Sequence, residues 1–127
     1  MDEDLEAALG AGAFGYFAGG AGDEITLRDN TAAWGRYALH PRVLVDVSER
    51  DPSVELLGRR RPHPVVVAPM AYQKHAHPEG ELATARAASA TDSLYVLSTQ
   101  STTSPSAVAA AMDESGGARD RWFQLYV

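Results

Sequence analysis

The sequence predicts an α/β fold, and three observations predict it. Three short, almost wholly apolar runs begin at Val65, Leu94 and Trp122, 29 and 28 residues apart. They lack the in–out alternation of a strand with one wet face, as expected of strands in a parallel sheet. Each gap between them holds one helix-length segment with a recognisable start. Strand, helix, strand, helix, strand at this period is a βαβαβ series, whose crossovers within one sheet are right-handed. A doubly wound sheet and a β/α barrel are both built this way.

The series occupies residues 64–127, and residues 1–63 form a differently patterned N-terminal part. From Asp2 to Phe17, acidic and small apolar residues read as one or two short helices interrupted by Gly10, Gly12 and Gly15. Gly19-Gly20-Ala21-Gly22 breaks the chain, after which Asp23 is expected to cap a new helix with Glu24 in its first turn. Leu27, Thr31, Trp34 and Ala38 share one face of that helix, which makes Trp34 a core residue, and His40-Pro41 ends the run. Val43 to Val47 and Ser53 to Leu57 read as short strands. Gly58 turns the second of them into a returning strand at Arg59-Arg60-Arg61. An anion patch is one reading of the three arginines, and a solvated hairpin is the preferred one.

Pro64 to Pro69 is the first strand of the series, Leu94 to Leu97 the second and Trp122 to Val127 the third. Pro78 is placed at the first position of the helix between the first two, with Glu79 and Glu81 in its first turn and Leu82 to Ala90 following. Ser104 caps the next helix, Pro105 opens it, Ala107 to Met112 fills it and Gly116-Gly117 stops it. A β/α barrel needs roughly 250 residues for its eight units. The 127 residues here end on the apolar Leu125-Tyr126-Val127, inside or just after the third strand, so the chain is expected to be the N-terminal part of something longer.

Composition narrows the function classes. There is no cysteine, which removes disulfides, thiol chemistry and thiolate-ligated metals. A net charge of −6 argues against a broad nucleic-acid face. Neither a membrane-spanning run nor a secretory leader is visible, so the cytosol is the expected compartment. Gly10-Ala11-Gly12-Ala13-Phe14-Gly15 spells the dinucleotide fingerprint, yet it follows a helical stretch where the mechanism needs a strand. His75, His77 and Glu79 or Glu81 can be drawn as a metal site, but no third ligand has suggestive spacing and no metal is expected. No serine sits in a hydrolase-type nucleophile elbow.

The C-terminal ends of the three strands are the better place for a site, because α/β folds build theirs there. These ends carry Pro69-Met70-Ala71, Ser98-Thr99-Gln100, and Gln124 with Tyr126. An amide within a run as apolar as Trp122-Phe123-Gln124-Leu125 needs hydrogen-bond partners or costs a few kcal/mol. It both donates and accepts, which suits the imide edge of a flavin or pyrimidine ring, while bonding to neighbouring backbone is the plain alternative. In a regular strand Tyr126 shares the face of Gln124, where a phenol would bind a carboxylate or stabilise developing charge. Tyr16, from its own surroundings, reads only as a core aromatic.

The order of motifs carries more than any one of them. Tyr16-Phe17-Ala18-Gly19-Gly20-Ala21-Gly22-Asp23-Glu24, Asn30, Pro41-Arg42-Val43-Leu44, Asp46-Val47-Ser48, Leu57-Gly58, Ala68-Pro69-Met70-Ala71, His77-Pro78-Glu79-Gly80-Glu81, Ala83 to Ala88, Ser98-Thr99 and Trp122 to Tyr126 follow one another. This succession resembles the FMN-dependent α-hydroxy-acid oxidases and dehydrogenases, the family of glycolate, lactate and mandelate oxidising enzymes. The resemblance runs from about Tyr16 to Val127. It implies the first part of a (β/α)8 TIM barrel, preceded by helices and a small β-hairpin. It also implies FMN as cofactor, with backbone groups of Pro69, Met70 and Ala71 against the flavin and Ser98 and Gln124 on its polar ring edge. Tyr16 and Tyr126 would bind the substrate, a small 2-hydroxy acid, with Tyr126 supporting catalysis at the reacting end.

In that family a histidine base, substrate arginines and a flavin-facing lysine belong to the later part of the barrel. The resemblance therefore implies an oxidising parent enzyme whose electrons go to oxygen or an electron-transfer partner, and an inactive 127-residue chain. Homo-oligomers, commonly tetramers, are the family's usual assembly. Gln100 stands where several of its oxidases carry a tryptophan, which leaves the substrate's side chain open. Two alternatives compete: an FMN barrel of other chemistry, like type 2 isopentenyl diphosphate isomerase, and a non-catalytic half-barrel that pairs its open edge with another chain.

Overall fold

The computed structural model describes residues 2–127, with side chains described from Asp4 onward. It divides into two compact units, Met1–Arg50 and Asp51–Val127, taken here one at a time.

The first unit is helical. Helix α1 spans Asp2–Leu9 and α2 spans Ala11–Ala18. The break between them is Gly10, whose φ of 78° is open to glycine and strained for other residues. Gly12 and Gly15 lie within α2, and the fingerprint-like run has no strand before it, so the dinucleotide reading fails on context. Helix α3 spans Ile25–Ala32 and continues as a 3-10 turn over Ala33–Arg36. Its start differs from expectation. Glu24 occupies the cap position with φ 56°, its carboxylate accepts from the Gly20 N–H at 3.2 Å, and the Asp23 carbonyl accepts from Arg28. Trp34 is not a core residue: it is 80% exposed, because the 3-10 turn tightens the pitch and no described element covers that face. The stretch 43–47 is not a strand either. Leu44 takes a left-handed φ of 59° that breaks extension, and the Asp46 carboxylate folds back onto the Ser48 N–H at 2.9 Å.

The second unit opens with an antiparallel hairpin, β1 (Val54–Leu56) and β2 (Arg59–Arg61). Leu57 and Gly58 form its two-residue turn, both at positive φ, the geometry that matches the twist of paired strands. Its arginines are occupied: Arg59 and Arg61 both pair with Asp120, and Arg60 pairs with Asp51. No anion patch is left. The pairing with Asp120 also explains why the hairpin groups with the barrel-like part and not with the N-terminal helices.

Strands β3 (Val66–Val67), β4 (Leu94–Leu97) and β5 (Arg121–Phe123) form one parallel sheet in the order β3-β4-β5, with Val67 opposite Tyr95 and Val96 opposite Trp122. The crossovers carry α4 (Glu81–Ala90) and α5 (Pro105–Glu114), which pack against each other and so lie on one face of the sheet. Sequential order with both helices on one face is the winding of a β/α barrel and equally of one βαβαβ half of a doubly wound sheet, whose reversal and second helical face come only with later strands. The core between sheet and helices is Ala85, Ala88, Tyr95, Leu97, Val108 and Met112, flanked by Val67 and Leu82. Alanines on α4 let α5 approach closely. Gly117 marks the tightest point, where an added Cβ would sit 2.0 Å from the Ser89 carbonyl oxygen.

Three boundaries differ from the sequence reading. Pro78 precedes α4 in a turn, and Gly80 with φ 49° is the cap, because the chain must first let the Lys74 backbone pass. In the first strand only Val67 packs against the α4–α5 core, while Val65 and Val66 are exposed. The third ends at Phe123, which puts Gln124 and Tyr126 in the segment after it. The caps of α5 agree with expectation: Ser104 Oγ accepts from the Ala107 N–H at 3.3 Å, with Pro105 next in line.

Candidate functional site

Parallel strands of one crossover series all end on the same side, so β3, β4 and β5 deliver three loops to a common rim. The β3 loop brings Pro69, Met70 and Ala71. Met70 is 51% exposed, and the N–H groups of Met70 and Ala71 take no partner among the described residues. They are backbone donors free to meet a ligand.

The β4 loop starts with Ser98, which is buried. Its hydroxyl donates to Gln124 Oε1 at 3.3 Å and accepts from the Gln100 N–H at 3.1 Å. Gln124 is fixed a second time, as its backbone N–H donates to the Leu97 carbonyl at 2.9 Å and extends the ladder one step past β5. The amide oxygen is thus held by Ser98, while Nε2 donates to nothing among the described residues. The structure brings Ser98 and Gln124 into contact with each other, and neither lies within a strand.

Thr99 stood in the sequence reading only as a member of the strand-end run, with no role of its own. Its hydroxyl donates to the Gln124 carbonyl oxygen and accepts from the Tyr126 N–H at 3.1 Å, so one side chain holds the backbone on both sides of Leu125. Tyr126 itself is 59% exposed. Only its motif, Ser98-Thr99, gave a sign of this. A hydroxyl that follows the strand's last buried position is placed to reach the next strand's exit.

Tyr16 belongs to the other unit, in α2, where it is 56% exposed and meets Phe17 edge-on at 5.2 Å. Its exposure already removes the core-aromatic reading. Of the two histidines considered for a metal, His75 meets Tyr72 edge-on, and His77 Nδ1 accepts from the Glu79 N–H. Among the described residues no cluster of three metal-ligating side chains occurs.

Behind the rim lies a second polar group that the sequence reading did not find. The Glu81 carboxylate, fully buried in the first turn of α4, accepts from the Gln73 N–H (3.3 Å), the Thr102 N–H (2.7 Å) and the hydroxyls of Thr102 (2.6 Å) and Thr103 (2.8 Å). Burial works to raise its pKa, but the hydrogen bonds from Thr102 and Thr103 outweigh it and hold the carboxyl down at about 2. Gln73 also donates to the Tyr95 hydroxyl at 3.4 Å and accepts from Thr84 at 2.6 Å. Burial pushes the Tyr95 phenol up to about 12, against the Gln73 bond and with the Glu81 charge, so it stays neutral.

The donor set at the rim fits the ring edge of a flavin. Free backbone N–H groups, a fixed carboxamide with donors to spare and a buried serine suit a planar ring with alternating carbonyl and N–H groups. Comparison with known proteins agrees. The family model described as FMN-dependent dehydrogenase matches residues 5–127. Glycolate oxidase 1 of Oryza sativa subsp. indica is 47% identical over 114 residues, covering 90% of this chain and 30% of that protein. An L-lactate oxidase of Nostoc sp. is 48% identical over 115 residues, covering 91% of this chain and 31% of that protein. A crystal structure of mandelate oxidase superposes with a TM-score of 0.80 at 39% identity, over 98% of this chain and 36% of that one. A mandelate oxidase variant carrying a monooxide FMN adduct does so with 0.79 at 40% identity, over 97% and 38%. The chain spans about a third of the length of these relatives, and its three sequential parallel strands are consistent with part of a β/α barrel. By the match over nearly its whole length, the chain belongs to the FMN-dependent dehydrogenase family.

Proposed function

We propose that these 127 residues are the first part of the flavin site of an enzyme that oxidises an (S)-2-hydroxy acid to a 2-oxo acid. The observation that carries the reading is the pair Ser98–Gln124. It is a carboxamide immobilised by a buried hydroxyl at the strand-end rim, with its N–H donors unspent. The glycolate, lactate and mandelate oxidising relatives support the substrate class.

When bound, FMN supplies the two-electron acceptor for the substrate, to be reoxidised by oxygen or another acceptor. The chain's own residues bind and orient. Met70 and Ala71 offer backbone N–H groups, Gln124 offers its amide to the ring's polar edge, and Ser98 keeps that amide from rotating. Thr99 sets the backbone that carries Tyr126, whose phenol serves the substrate's reacting end. Tyr16 is assigned to the substrate carboxylate. No residue at the described rim is placed as a general base, so proton removal falls to residues outside this stretch, and the isolated chain does not turn over.

The test is an FMN titration of the chain followed by flavin fluorescence, with Gln124→Leu beside it. The wild type is expected to bind and Gln124→Leu to bind about tenfold more weakly, one good hydrogen-bond pair's worth. Equal affinities would remove Gln124 from the site. Turnover of lactate, glycolate or mandelate by the purified chain would overturn the assignment of the base elsewhere. A type 2 isopentenyl diphosphate isomerase-like barrel would leave Tyr16 without a duty. In a full-length parent enzyme Tyr16→Phe is expected to raise KM for the hydroxy acid, and an unchanged KM favours that alternative.

A further inference from the structure

Among the described residues Glu81 is an anion buried without a cation partner, an arrangement that survives only when hydrogen bonds replace the lost water. Its four donors come from two different loops. Gln73 belongs to the loop after β3, and Thr102 and Thr103 belong to the loop after β4. The same loops are tied directly, Tyr72 N–H to the Gln100 carbonyl at 3.1 Å and Lys74 N–H to Thr102 Oγ1 at 3.4 Å. Gly80 permits this approach. A Cβ there would meet the Lys74 side chain at 2.6 Å and its backbone nitrogen at 3.0 Å.

We propose that Glu81 is the positioning residue of the flavin site, clamping the β3 and β4 loops so that the Met70–Ala71 backbone and Ser98 stand ready for the ring. The proposal rests on the flavin reading above. Gln73 is two residues from Ala71, and Thr102 four from Ser98. Loops so anchored present their donors without an ordering cost at the moment of binding. The choice of glutamate follows from the partners. All four are donors, and a carboxylate only accepts, whereas a glutamine in that pocket would turn its own N–H2 towards an N–H or hydroxyl.

The test uses the 127-residue chain, its amide exchange and its FMN affinity. Glu81→Gln is expected to speed exchange at the Gln73 and Thr102 amides at least tenfold and to weaken FMN binding by about the same factor. Thr102→Val should follow it, and Thr102→Ser should restore both. Val108→Ala, a cavity in the α4–α5 core away from the loops, controls for stability: it should lower the urea midpoint while leaving FMN affinity unchanged. Wild-type exchange in Glu81→Gln overturns the clamp. Wild-type FMN affinity in Glu81→Gln, or equal weakening in Val108→Ala, overturns the positioning role. A full-length parent enzyme that binds no FMN overturns the flavin reading instead, and the exchange data still decide whether Glu81 joins the loops.

Discussion

At Gly117 a hydrogen atom is all the packing allows. The Ser89 carbonyl that an added methyl would strike also accepts from the Ala118 N–H at 3.0 Å, so neither side can retreat without losing a bond. Gly117→Ala is expected to cost about 2–3 kcal/mol, read as a lowered urea midpoint, with Gly116→Asn as a milder companion at a position open to space. Glu81 makes a different residue-scale prediction, with a sign. Its carboxyl is held at about 2 against an ordinary 4.5, so the folded chain binds the proton less well than the unfolded one. The stabilisation is complete above about pH 4.5 and is lost as pH falls towards 2. Urea midpoints of the wild type should fall across that window, and those of Glu81→Gln should fall much less.

Among the elements, α5 is the one whose boundaries follow from local rules. Ser104 supplies the cap oxygen, Pro105 gives up an N–H that would have no partner, and Ser104→Ala should cost about 1 kcal/mol in urea unfolding. Helix α4 and helix α3 break those rules for a reason. The residues that look like caps, Asp23 and the turn of Pro78, are displaced by one or more positions because Glu24 and Gly80 take the left-handed conformations the chain path needs. Glu81 looked like a helix-dipole residue at its surface. Three of its four donors come from Thr102 and Thr103, 21 and 22 residues away on another loop, beyond the reach of any local pattern. The strands show the same division. Residues 94–97 were recognisable by their apolar run, whereas 43–47, of similar composition, found no partner strand among the described residues.

For the whole molecule, the repeat of 29 and 28 residues and the succession of motifs already pointed to a β/α series of the flavin-dependent hydroxy-acid oxidising kind. Both are properties of order along the chain, and order survives without coordinates. The pairing β3-β4-β5 with α4 and α5 on one face fits a barrel and one half of a doubly wound sheet alike, and the superposition on mandelate oxidase over nearly the whole chain is what favours the barrel. The site divides along the same line. Pro69, Met70, Ala71, Ser98 and Gln124, the residues proposed for the site, could be nominated from the sequence because strand ends are where α/β folds place their chemistry. The lock of Ser98 on Gln124, the grip of Thr99 on the Tyr126 backbone and the burial of Glu81 were not. Each is a contact between residues 21 to 27 positions apart, made when crossovers bring loops side by side. Periodicity, capping chemistry and motif order are written in neighbouring residues; which donor meets which acceptor across two loops is a matter of tertiary packing, since it depends on how strands register and how closely α5 can settle on α4.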